Sequence, residues 1–73
     1  MELTLAEKKQ SVDALMSNAL RQKYQVEVSY RVSKLVADDI AMANNKKDLE
    51  KLTQVVDELE KIMAELETES KNA

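Results

Sequence analysis

Tyr24-Gln25-Val26-Glu27-Val28-Ser29-Tyr30-Arg31-Val32 is the stretch on which the fold turns. Apolar side chains occupy every even position and polar ones every odd position. With a period of two, that is a half-buried strand. With the helical period the same residues divide, Tyr24, Val28, Val32 and Leu35 on one side and Val26, Tyr30, Ala37 and Ile40 on another. Such a helix is apolar on two faces, as expected for one wedged between neighbours. A strand needs a partner, and no second alternating run exists in the chain, so it could pair only with another copy or another protein. No turn residue separates the stretch from Leu20 or from the helical run Ser33–Asn44. A continuous helix needs none. Helix is therefore the preferred reading, and an intermolecular strand over 24–32 is the alternative.

Outward from this segment the helical signals are plainer. Thr4-Leu5-Ala6-Glu7 fits a capping box, in which the Thr4 hydroxyl and the Glu7 carboxylate each accept from the other's backbone N–H. A first helix is predicted over about 5–20, with Leu5, Val12, Leu15, Met16 and Ala19 at helical spacing. A second is predicted over about 22–43. Asn44-Asn45 reads as the break between helices, because Asn tolerates the left-handed conformation that closes one helix and can cap the next. A third helix is predicted over about 46–67. In it Leu49, Leu52, Val56, Leu59, Met63 and Leu66 alternate spacings of three and four without a gap, the pattern of a coiled-coil seam. Val55 and Ile62 widen that seam towards a bundle helix. The ends, Met1–Leu3 and about 68–73, read as frayed.

The composition limits what else the chain can do. It has 73 residues, 11 Lys and Arg against 14 Asp and Glu, and no Gly, Pro, Cys, His, Trp or Phe. Without cysteine and histidine there is no disulfide framework and no ordinary zinc, haem or iron–sulfur site. Without glycine there is no phosphate-cradling loop and no EF-hand. No cofactor or metal is expected. A chain this short builds only a small core, and here neither a disulfide nor a metal reinforces it. The remaining reinforcement is another polypeptide, a copy of itself or a partner. No stretch has the length of a membrane span or a signal peptide, which favours the cytoplasm.

Charge is unevenly divided: residues 1–37 carry six basic and four acidic side chains, residues 38–73 five basic and ten acidic. Antiparallel packing of the halves would set a weakly basic surface against an acidic one. Catalytic candidates are few. Asp38-Asp39 is an adjacent carboxylate pair, but neighbours on a helix diverge by about 100° and cannot share one proton or metal. Ser11, Ser17, Ser29, Ser33 and Ser70 have no histidine to activate them. The chain reads as a non-enzyme.

Two likenesses of layout remain. If 24–32 is a strand, the order strand, helix, turn, helix over 24–67 resembles that of the ribbon–helix–helix repressors. That resemblance implies two copies pairing their strands and placing Gln25, Ser29 and Arg31 against base edges in the major groove. The sequence departs from the family at Asn44-Asn45, where a glycine is usual, and at Glu27, which would sit against phosphates. If the segment is helical, the size and layout look like those of small helical adaptors, such as the hairpin co-chaperones of type III secretion needle subunits or small phage and plasmid regulatory proteins.

The sequence thus predicts an all-α fold, a small antiparallel helical hairpin or three-helix bundle with a coiled-coil-like C-terminal helix. The expected function is a non-enzymatic protein–protein interaction module (adaptor, small chaperone or regulatory subunit) acting by helix–helix packing on a protein partner, itself in a homo-oligomer, or both. Leu49, Leu52, Val56, Leu59, Met63 and Leu66 are predicted to form one wall of the hydrophobic contact, and Val28, Val32, Leu35 and Ile40 the other. A DNA-binding ribbon–helix–helix repressor is the alternative.

Overall fold

A computed structural model describes residues 2–72. Met1 and Ala73, expected to be frayed, lie outside the described residues. Two helices, α1 (Leu5–Leu35) and α2 (Asp39–Asn72), pack side by side as an antiparallel hairpin 54 × 18 × 16 Å in extent. The all-α hairpin is the architecture expected. The three-segment division is not. Residues 5–20 and 22–43 do not form separate helices, because α1 runs unbroken through 20–22 and ends at Leu35. The predicted tail of 68–72 is helical as well.

The start of α1 follows from its capping box. The Thr4 hydroxyl accepts the Glu7 N–H at 3.2 Å, and the Glu7 carboxylate accepts the Thr4 N–H at 3.2 Å. From there Leu5, Lys9, Val12, Met16, Ala19, Lys23, Val26, Tyr30 and Ser33 trace one line of alternating four- and three-residue steps, all of them buried or half-buried. In α2 the matching line is Met42, Asn45, Leu49, Leu52, Val56, Leu59, Met63 and Leu66. These are the two seams of an antiparallel coiled coil.

The seams are not uniformly apolar. Val12, Ala19, Val56, Leu59 and Leu66 form the buried cluster, with Leu5, Met16, Ile62 and Met63 packed against it. All of them lie towards the open end of the hairpin. Nearer the loop the seam becomes polar. Ser33 is buried, its hydroxyl donates to the Ser29 carbonyl at 2.8 Å, and it accepts from the Asn45 amide at 3.2 Å. A polar pair at one level of an apolar seam has a partner only when the helices are in register, so it favours that register over slipped ones.

The helices are joined by Val36, Ala37 and Asp38. The Asp38 N–H reaches back to the Ser33 carbonyl at 2.9 Å and the Ala37 N–H to the Lys34 carbonyl at 3.3 Å. This is the pair of bonds of a Schellman closure. Its left-handed position is filled by Ala37, with φ 55°. Asp38 then caps α2, its carboxylate accepting the Ala41 N–H at 3.1 Å. The break therefore sits at 36–38 and not at Asn44-Asn45. Both asparagines are inside α2, and Asn45 is spent on the cross-helix bond to Ser33 rather than on a cap. Segment 24–32 is helical throughout, so the strand alternative fails. Its alternation arises because a helix with two apolar faces places Val26 and Tyr30 towards α2 and leaves Tyr24, Val28 and Val32 outside.

Candidate functional site

Two helices can cover only one face of each other. On α1 the covered line takes Val26 and Tyr30, and the opposite side of the same helix carries Tyr24, Val28, Val32 and Leu35, stepped by four, four and three residues. All four are exposed, from Val28 at 42% to Leu35 at 85%. At the hairpin tip Val36 and Ile40 extend this apolar surface, at 66% and 78% exposed. Large apolar side chains left in water at helical spacing form a continuous stripe over about three turns, long enough to receive another helix.

Along α1 the nearest charges are basic: Arg21 stands in line with the stripe one turn before Tyr24 and Arg31 lies beside it, while Glu27 lies about a quarter-turn away. At the tip Asp38 and Asp39 stand between Val36 and Ile40. The α1 part of the stripe is therefore apolar with a basic margin.

The predicted walls divide in two. Val56, Leu59, Met63 and Leu66 do come together, but their facing wall is α1's own Leu5, Val12, Met16 and Ala19; Leu49 and Leu52, half-buried, continue the same line of α2 towards the loop. Val28, Val32, Leu35 and Ile40 do not oppose them. The reason is register: in a helix continuous from Leu5, positions 26, 30 and 33 inherit the inner line, which turns 28, 32 and 35 outward. Gln25, Ser29 and Arg31, grouped as base-reading residues on a strand, are all exposed. On the helix Gln25 and Ser29 share one side, and Arg31 points more than a quarter-turn away from both.

A second feature has no counterpart in the sequence reading. On one flank of the hairpin the helices part into a shallow trough. One stretch of about 230 Å³ is lined by Leu15, Asn18, Ala19 and Gln22 of α1 with Leu52, Val55 and Leu59 of α2. The adjoining stretch, about 320 Å³, shares Gln22 and Leu52 and continues past Gln25, Asp48 and Lys51. Ala19 is what opens it, since a methyl group stands where a larger side chain would fill the space between the helices.

Among the described residues no three Asp or Glu side chains converge as they would around a metal ion, and no helix is long and apolar enough to cross a membrane. Fold and surface together define a two-helix antiparallel coiled-coil hairpin with one apolar face closed and another open. Comparison with protein-family models, with curated proteins and with solved structures gives no match.

Proposed function

We propose that the chain is a non-enzymatic protein-interaction module, an adaptor, small chaperone or regulatory subunit working in the cytoplasm, which binds a partner helix along the outer side of α1. The observation that carries this reading is the exposed stripe Tyr24, Val28, Val32 and Leu35 on the side of α1 turned away from α2. Its basic margin, Arg21 and Arg31, suits an amphipathic helix with acidic residues beside its apolar face. The absence of histidine and cysteine from the chain supports the non-enzymatic part of the reading.

The test is titration of the isotopically labelled protein with a helical peptide carrying leucines at i, i+4 and i+7 between glutamates. Amide shifts are expected at Tyr24, Val28, Val32, Leu35 and the tip, and should vanish in a Tyr24→Asp/Leu35→Asp variant. Both positions are solvent-exposed, so that variant keeps its helicity. No shifts at saturating peptide, or shifts confined to α2, would refute the reading.

A further inference from the structure

The trough on the flank of the hairpin is a different surface from the outer stripe, and we propose that a second copy of this chain occupies it, giving a four-helix bundle. Four observations lead there. The first is area. The hairpin exposes 5917 Å² of surface, whereas a compact monomer of 8.3 kDa exposes about 4,600 Å². The excess of about 1,300 Å² exceeds the roughly 800 Å² that each partner of a stable complex covers. The radius of gyration, 16.5 Å, is likewise well above the roughly 11 Å of a globular chain of this length.

The second is the chemistry of the trough's α1 bank. Leu15, Asn18, Gln22 and Gln25 line it, and Ser11 and Ser29 continue the same side of the helix beyond its two ends, all six at steps of four and three. All six are exposed and none is charged, in a chain in which 34% of residues are charged. Charge depletion over about five turns marks a surface that can be desolvated without stranding an ion, the compositional sign of an interface centre. The Asn and Gln side chains there can exchange water for a partner's polar groups at little net cost.

The third is apolar placement. Leu15 on one bank and Val55 on the other are 56% and 46% exposed, immediately beside the buried Ala19 and Leu59. They continue the core to the edge of the hairpin, where it stops without a cover. Both banks lie on the same copy, so a twofold axis sets the α1 bank of each chain against the α2 bank of the other. This is the self-complementary condition for a closed dimer.

The fourth fixes the orientation. Stacking α2 on α2 would oppose two acidic helices. Stacking α1 on the partner's α2 sets the basic half of each chain on the acidic half of the other, with both loops at one end and every adjacent pair of helices antiparallel and unlike in charge. Asp48 and Lys51, three residues apart on the α2 bank, carry opposite charges and sit at the rim of the trough.

Sedimentation of the full chain and its variants at about 100 μM, well above the Kd of a micromolar dimer, tests the proposal. The wild type should run at twice the 8.3 kDa chain mass. Leu15→Glu should halve the mass with helicity unchanged, because residue 15 is exposed in the single hairpin. Asn18→Arg, which alters no apolar contact within the hairpin, should do the same. Tyr24→Glu, on the outer stripe, should leave the mass doubled. A wild type at single mass overturns the proposal. So does a doubled mass that survives Leu15→Glu and Asn18→Arg, or one abolished only by Tyr24→Glu, since the contact would then lie on the outer stripe and leave the trough unused.

Discussion

Replacing Ala37 with glycine should stabilise the protein. The chain contains no glycine, yet the turn between α1 and α2 closes on a left-handed residue, Ala37 at φ 55°. For an L-residue with a Cβ that conformation costs roughly 1–2 kcal/mol, because Cβ approaches the following carbonyl oxygen. Glycine removes the clash but gives the unfolded chain more freedom, which takes back roughly 0.4–1 kcal/mol. The backbone bonds from Ala37 to Lys34 and from Asp38 to Ser33 do not involve the side chain, so they persist. The net gain lies between about 0 and 1.6 kcal/mol and centres near 0.8 kcal/mol, which for a domain of this size corresponds to a rise in Tm of roughly 3–6 °C. Urea unfolding followed by far-ultraviolet circular dichroism, at one fixed protein concentration, should show a higher midpoint at unchanged slope. Ala37→Val should move the midpoint the other way, since a β-branched side chain tolerates positive φ worst. A glycine variant no more stable than the wild type would refute the left-handed turn at 37, and with it the placement of the hairpin bend.

Three further outcomes follow from the packing. Asp38→Ala removes the cap on α2 and should cost about 1 kcal/mol in the same unfolding assay, while Asp39→Ala, whose side chain makes no such bond, should cost less. Leu59→Asp puts a charge at a position only 7% exposed and should lose several kcal/mol, visible as a marked fall in helicity. A variant that stays fully helical would mean that α2 is turned the wrong way. A double-mutant cycle of Ser33→Ala and Asn45→Ala should return a coupling of about 0.5–1.5 kcal/mol, and additive effects would show that their 3.2 Å bond does not operate in solution.

How much of this could be read from the residues depends on which helix is considered. The inner face of α2 is legible because its seam from Leu49 to Leu66 is filled with large aliphatic side chains at every step. The seam of α1 is as regular in spacing but is occupied in part by Lys9, Lys23 and Ser33, none of which announces a core position. Its continuity from Leu5 to Ser33 was therefore obscured, and Leu15 and the outward Val28 and Val32 looked equally eligible. The bend was hidden for a related reason. Val36, Ala37 and Asp38 contain neither glycine nor asparagine and sit among Leu35 and Ile40, whereas Asn44-Asn45 carries the ordinary chemistry of a turn. The usable signal was Asp38, an N-cap residue, followed by Asp39 in the first turn and preceded by Lys34 in the last turn of α1. The two-faced character of the 24–32 helix was written in the alternation. Which face meets α2 was not, because that depends on a register set a dozen residues earlier.

On the proposal made above, this hairpin, whose buried cluster among the described residues is Val12, Ala19, Val56, Leu59 and Leu66, draws part of its stability from a neighbour laid against its open surface. The most direct measurement is the thermal midpoint of the wild-type protein at increasing concentration. Coupled folding and association predict that Tm climbs by several degrees between about 1 and 100 μM. A midpoint that stays constant over that range would contradict the claim and show a hairpin that stands alone.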